Sequence, residues 1–176
     1  MKKFLLLFTV CVLHISAFAG SKAGIDFKIG TGYMDTVKTE YINSAYETNS
    51  LSTIVIGAGV EYYDNSSVYV GGDIELAVVD DAYTNAYGSL TTIFGKVGLH
   101  LDRSVIVYGL GGFAYQSLKS DTISTNGTGY VVGGGIKLNH KENIGMEVNL
   151  KRSQLSDEED ETYYVNSITV NGIFFF

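Results

Sequence analysis

Nine charged residues of this chain are placed where acids and lysines could meet inside a protein. Each stands in a run in which apolar residues alternate with small or polar ones, and each shares its strand face with glycines and other small or polar residues. In a low-dielectric interior such charges either pair with one another or line an ion path. Five acids against four lysines nearly cancel, which favours pairing. The nine residues are Asp26, Lys28, Glu61, Asp73, Glu75, Lys96, Lys137, Glu147 and Lys151.

One pair within this set can be predicted from spacing. Lys137 and Glu147 lie roughly equidistant from the turn-forming residues at 140–142. In an antiparallel hairpin, that spacing makes the two residues cross-strand neighbours. We therefore expect Lys137 and Glu147 to form a buried ion pair.

Eight segments with period-two alternation would position these charges. In IGMEVNLK, residues 144–151, every second residue from Ile144 is apolar, and the residues between are small, polar or charged. The face assignment is weakest in the fifth segment, where glycine occurs at both parities. The predicted strands cover roughly 23–34, 51–63, 67–79, 89–101, 104–116, 128–139, 143–152 and 162–176.

The connections between these strands alternate in length. Residues 64–66, 102–103 and 140–142 are short and rich in turn-forming residues, whereas 35–50, 80–88, 117–127 and 153–161 are longer and polar. With an even number of strands, every short turn lies on one side of the sheet and every long loop on the other.

Residues 1–19 have the pattern of a cleaved secretory signal peptide, which leaves 20–176 as a single domain. Lys2 and Lys3 precede an apolar stretch, and Ala17-Phe18-Ala19 supplies a small-x-small cleavage site. Since Cys11 is the chain's one cysteine, the mature chain would contain none. Without the two lysines, ten basic residues face 19 acidic ones, a net charge of −9 that argues against a nucleic-acid partner.

A soluble β-sandwich and a barrel in lipid would both show this alternation. The lengths of the predicted strands favour a barrel in a membrane, because a tilted strand needs about 9–11 residues to cross a bilayer. Tyrosines near strand ends also favour lipid, since aromatic side chains concentrate at membrane interfaces. The predicted belt consists of Tyr33, Tyr62, Tyr63, Tyr108, Tyr115, Tyr130, Tyr163 and Tyr164.

The chain ends on NGIFFF, in which Phe174 and Phe176 share one strand face with Val170. A terminal aromatic preceded by apolar residues at alternate positions resembles the carboxyl-terminal signal of bacterial outer-membrane barrels. The resemblance implies that the barrel-assembly machinery reads this end and that the last strand closes against the first. Phe174 and Phe176 would face lipid, and the assembly signal would comprise Gly172, Phe174 and Phe176.

The resemblance covers the whole mature chain and points to small eight-stranded porin-family barrels of the OmpA/OmpX-like kind. It implies an all-β, eight-stranded antiparallel up-and-down transmembrane barrel in the outer membrane of a Gram-negative bacterium. It also implies a monomer in contact with outer-membrane lipid and lipopolysaccharide.

No catalytic residue, metal site or cofactor is predicted. Lipid A-modifying barrels need a Ser/His/acid set near the outer leaflet, whereas His100 and His140 would lie at the short-turn ends and lack the His-x-Ser spacing. The acidic run at 157–161 lacks the order of an EF-hand loop. We interpret the acidic loops as a solvated rim, with weak divalent bridging to lipopolysaccharide as the alternative.

Eight strands leave room inside for little more than side chains. We therefore predict a mostly occluded polar interior and a structural or surface-loop recognition role. A narrow porin-like channel for small solutes is one alternative, because inward glycines could leave a file of water. An adhesin or ligand-binding surface protein is the other. The glycines concerned are Gly57, Gly59, Gly71, Gly133 and Gly135.

Overall fold

The alternating segments form eight antiparallel strands that close into one barrel. The structure, a computed structural model, describes residues 22–38, 48–63, 67–81, 86–102, 104–119, 124–141, 143–157 and 162–176. Each strand pairs with the next in the chain, and β1 also pairs with β8, which confirms the predicted fold class. The strands are β1 (Lys22–Lys38), β2 (Thr48–Tyr63), β3 (Val68–Asp81), β4 (Ala86–Asp102), β5 (Val105–Lys119), β6 (Ser124–Lys141), β7 (Ile144–Asp157) and β8 (Thr162–Phe175).

The register fixes how the strands tilt. Following paired residues from Val60 on β2 once around the barrel returns to β2 at Ser50, ten residues away along the strand. A closed sheet with such a stagger needs its strands to tilt by roughly 35–45°. Residues that face each other across the lumen therefore lie at quite different distances from their nearest turns.

The strands are longer than predicted on the long-loop side. On the short-turn side the bounds agree within two residues, but β1 continues to Lys38, β2 begins at Thr48 and β7 continues to Asp157. Parts of the predicted loops 35–50, 80–88, 117–127 and 153–161 are therefore strand. The strands continue because the alternation of buried side chains does, as at Ser153 and Leu155 beyond the predicted end of β7.

Apolar side chains cover the outer face of the barrel. Ile29, Ile54 and Ile168, for example, are each more than half exposed. An outward apolar band is what lipid requires of a transmembrane barrel. Among the described residues, no helix is long and apolar enough to cross a membrane.

The predicted tyrosine belt is wrong at two positions. Tyr33, Tyr115 and Tyr130 lie on the outer face, but Tyr108 and Tyr163 point into the lumen and are buried. Tyr108 lies on the inward face of the fifth strand, whose face the sequence left undecided, and its hydroxyl donates a hydrogen bond to Asn149. A buried phenol is stable there because its polar end has a partner.

Some predictions fall on residues outside those described. The signal peptide at 1–19 stays a prediction, as do the conformations of the turn at 64–66 and of Arg103 and Glu142. Residues 20 and 21 of the predicted domain also lie outside the described part.

Some segments that were predicted to be loops are paired in strands in the structure. Protease added to intact cells should not cleave these segments. Residues 48–50 and 153–156 are hydrogen-bonded into the barrel wall, and a protease needs locally unpaired backbone. Mass spectrometry of the released peptides should place cuts in the connections between strands on the long-loop side. Cleavage at residues 102–105 or 141–144 in sealed cells would show that the assumed orientation is inverted.

Candidate functional site

The nine predicted charged residues all lie inside the barrel, between the short-turn ends and the middle of their strands. They come from six strands, β1 to β4, β6 and β7, and each is at most 7% exposed. Their inward direction follows from strand geometry, since side chains at alternate positions point to the same face. The lumen thus brings together side chains that are far apart in the sequence.

Two lysines and two acids form the centre of this lumen charge network. Lys28 and Lys96 both pair with Asp73. Glu147 accepts from both lysines as well, at 3.1 Å from Lys28 Nζ and 2.8 Å from Lys96 Nζ. Asn149 adds a donor, its Nδ2 lying 2.6 Å from Glu147 Oε1. Strands on opposite sides of the barrel are therefore joined through the lumen.

Two further lysines extend the network towards its ends. Lys151 pairs with Glu75 on the long-loop side of the central cluster. Lys137 pairs with Glu61 nearer the short turns and lies 3.7 Å from Asp26 Oδ2. The hydroxyl of Tyr69 donates to Glu61 Oε1 at 2.8 Å. Buried charges of this kind need such partners, because removal from water is costly.

The predicted ion pair between Lys137 and Glu147 is not the arrangement found. The two residues are cross-strand partners in the β6–β7 ladder, as expected. Their side chains, however, reach across the lumen: Lys137 to Glu61 on β2, and Glu147 to Lys28 and Lys96 on β1 and β4. In a narrow closed barrel, the opposite wall is within reach of a long side chain.

Aromatic rings lie close to the lysine ammonium groups in the lumen. These contacts were not among the predictions from the sequence. Lys137 Nζ lies 4.4 Å from the ring centre of Phe175, and Lys96 Nζ lies 4.8 Å from that of Tyr108. Phe94 lies between Lys96 and Lys151, at 5.6 and 5.4 Å. Such contacts stabilise a desolvated cation. The inward parity of Phe94 and Phe175 was the signal that could have identified them.

The inward glycines are not empty positions. A Cβ atom on Gly59 would lie 2.5 Å from Asp26 Oδ1, and one on Gly135 would lie 2.5 Å from the Tyr108 hydroxyl. Both distances are far below a normal van der Waals contact, so network side chains already fill this space. The glycines let the charge network fit inside a small barrel.

A layer of buried apolar side chains lies in the lumen on the long-loop side of the charges. Its members are buried and follow the inward alternation of their strands. The space between this layer and the charges is a cavity of about 10 Å³, lined by Glu75, Thr92, Thr169 and Leu90 among others. That volume holds about one water molecule. The layer includes Met34, Leu51, Val79, Leu90, Leu155, Tyr163 and Val165.

Three carboxylates come close enough together to be compared with a metal site. Asp73, Glu75 and Glu147 each offer an oxygen within 4.8 Å of the others. The same carboxylates pair with Lys28, Lys96 and Lys151. Ammonium groups of the protein itself thus supply positive charge to this cluster.

His100 and His140 lie away from the long-loop side. His100 is near the short-turn end of β4, where its ring centre is 6.4 Å from that of Tyr69. His140 also falls in the short-turn end of its strand, and its side chain is outside the described part of the structure.

The residues of the predicted assembly signal lie on the outside of the β1–β8 seam. The backbone N–H of Phe176 donates to the Ile25 carbonyl at 3.0 Å, and its ring packs edge-on against Phe27 at 5.7 Å. Phe176 is 82% exposed and Phe174 44%. Gly172 lies opposite Ile29 on β1. The terminal residues thus take part in closing the barrel while presenting aromatic surface outward.

A family model described as the outer membrane protein beta-barrel domain matches residues 4–172. No curated protein sequence matches the chain. The structure is similar to that of Ail, the attachment invasion locus protein of Yersinia pestis, with a TM-score of 0.63, 15% identity, and coverage of 88% of this chain and 99% of Ail.

Two other structures share the fold at low identity. Neisserial surface protein A has a TM-score of 0.59 and 10% identity, over 89% of this chain and 99% of that protein. The outer membrane enzyme PagL has a TM-score of 0.54 and 11% identity, over 82% of this chain and 97% of that protein. One barrel fold therefore carries proteins with different roles.

Proposed function

We propose that this chain, which belongs to the outer membrane protein beta-barrel domain family, is a non-conducting barrel that presents its long loops at the cell surface. It resides in the outer membrane of a Gram-negative bacterium. We infer that it works as a single chain surrounded by lipid, after insertion by the barrel-assembly machinery. The observation that supports the proposal is the filled lumen.

Two successive barriers oppose passage of solutes through this lumen. Water or an ion that enters from the short-turn side first meets the lysine–carboxylate pairs of the lumen charge network. To pass, it would have to separate these pairs. Beyond them lies the apolar layer that includes Leu51, Leu90 and Leu155. Beside Gly59 and Gly135, side chains that project into the lumen already occupy the space that a file of water would need.

Planar-bilayer recordings of the purified, refolded protein should therefore show no regular single-channel steps. The physical reason is that the cavity between the charges and the apolar layer has a volume of about 10 Å³, too small for a hydrated ion. A mock preparation carried through the same detergent steps controls for detergent-induced leaks. Steps of constant amplitude that depend on the protein would support the narrow porin-like channel instead.

A recognition role for the long loops fits the acidic charge of this side of the barrel. Ail has been observed with the heparin analogue sucrose octasulfate, which is a polyanion. In the sequence of this chain, residues 157–161 read DEEDE, and the segment between β1 and β2 contains Glu40 and Glu47. Repulsion between like charges disfavours a polyanion at these loops, so a basic or neutral partner is the better match.

Catalysis is not part of the proposal, although PagL shows that an enzyme can have this fold. Function resides in specific side chains rather than in the fold. His100 lies at the short-turn end of β4, on the side of the membrane away from the long loops. A lipid A-modifying site at the outer leaflet would need a histidine at the opposite end.

A further inference from the structure

A groove of about 500 Å³ runs along the outer wall where β6, β7, β8 and β1 are adjacent. Its floor contains a row of three paired residues, Leu150, Ile168 and Tyr33, each more than half exposed. The next row towards the long loops is polar and consists of Arg152, Asn166 and Asp35. The groove thus spans a boundary between an apolar surface and a polar one.

Arg152 distinguishes this part of the wall from the rest. Six lysines and arginines have described side chains, and four of them belong to the lumen charge network. The other two, Arg152 and Lys119, are exposed on the outside, and Lys119 is at the end of β5 outside the groove. The guanidinium carbon of Arg152 lies 4.5 Å from the ring centre of Tyr164, which holds the cation at the groove.

The remaining charge of the row limits where an anion can bind. Asp35 is two strands away from Arg152, with Asn166 between them. An anionic group is therefore favoured at the β7 end of the row, beside Arg152, and disfavoured at the β1 end. A stacked guanidinium keeps its N–H donors free at the edge of the plane, in a geometry that suits a phosphate.

We propose that this groove binds a phosphorylated lipid of the outer leaflet, with a lipid A phosphate at Arg152 and an acyl chain along Leu150 and Ile168. The long-loop side of an outer-membrane barrel faces the cell exterior. The outer leaflet on that side is lipopolysaccharide, so lipid A is the phosphorylated amphiphile at this depth. Basic residues at the membrane boundary commonly hold lipid headgroups.

Native mass spectrometry of the refolded protein in detergent tests the site, with bisphosphorylated lipid A and the same lipid A after dephosphorylation as probes. The unmodified protein should retain phosphorylated lipid A in clear preference to the dephosphorylated form. Arg152→Ala should reduce retention of the phosphorylated form about tenfold, the loss expected for one hydrogen-bonded charge contact. Arg152→Lys should fall between the two, because an ammonium cannot form the paired contact.

Two matched variants separate the site from general charge effects. Lys119→Ala removes the other exposed cation among the described side chains and should leave lipid retention unchanged. Asp35→Asn removes the acid from the same groove and should not reduce retention. Inorganic phosphate added in excess should not displace the lipid, since a free anion lacks the acyl chain.

Equal retention of both lipids by the unmodified protein would overturn the proposal, as would an equal loss in Arg152→Ala and Lys119→Ala. Displacement by inorganic phosphate would show an unspecific anion site instead. Heat-modifiable mobility on gels establishes that each variant is folded. If Arg152→Ala does not fold, the preference of the unmodified protein and the value for Arg152→Lys decide the question.

Discussion

Deleting Phe176 should leave most of the protein outside the outer membrane, as unfolded precursor or degraded chain. The residue supplies a backbone hydrogen bond to Ile25 and an aromatic contact to Phe27 at the seam where β8 meets β1. It is also the terminal aromatic that resembles the signal read by the assembly machinery. The measurement is the amount of heat-modifiable protein in the outer-membrane fraction against that in the periplasm.

Phe113→Ala provides a matched control, because Phe113 is an outward aromatic on β5 that is 70% exposed and far from the seam. It should assemble at close to the normal level. Refolding in detergent separates the two contributions of Phe176. A deletion variant that refolds normally in vitro but fails in cells has lost recognition, whereas failure in both places points to the seam. Normal amounts in the outer membrane of cells would refute the role of this residue.

Lys137→Met should lower the free energy of unfolding by about 3–5 kcal/mol, because the buried Glu61 carboxylate loses its partner. Adding Glu61→Gln should recover much of this loss, since the amide is neutral and can still accept the hydrogen bond from Tyr69. Urea unfolding of the refolded protein in lipid, arranged as a double-mutant cycle, measures the coupling.

Glu147→Gln in the same Lys137→Met background is the informative comparison. Glu147 pairs with Lys28 and Lys96, so neutralising it should add a further loss instead of a recovery. If Glu147→Gln rescued Lys137→Met and Glu61→Gln did not, the cross-lumen pairing would be wrong and the cross-strand pair correct. If the changes in unfolding free energy simply add in both double mutants, Lys137 is coupled to neither acid.

The inside and outside of the barrel could be predicted because parity along a strand is exact. One residue such as Asp73 or Lys96 is enough to fix the face of its neighbours. Parity says nothing about which inward residues meet. That depends on the ten-residue stagger of the closed barrel, which brings Lys137 to Glu61 and not to its ladder partner Glu147.

Residue type was a weaker guide than parity at the boundaries. Tyr108 and Tyr163 look like interfacial tyrosines by chemistry, but both are buried inside the barrel. Parity indicates this for Tyr163, whereas glycines at both parities leave the face of Tyr108 open in the sequence. The strand ends were set too short for a similar reason, since polar residues near 153–157 and 124–127 indicated loops. The buried Leu155 shows that inward packing keeps residues 153–157 in the wall. Residues 124–127 are held there by their pairing with β5.

The cross-lumen pairs also have a consequence for assembly errors. They join β2 to β6 and β4 to β7, residues 76 and 51 positions apart, so they form only after the strands between them have been added to the sheet. A strand inserted one residue out of register would turn its lysine or acid towards lipid. Exposing a lysine at the bilayer midplane costs about 2–4 kcal/mol, and its former partner would be stranded in the lumen. The network therefore lowers the stability of any barrel that closes with a strand in the wrong register.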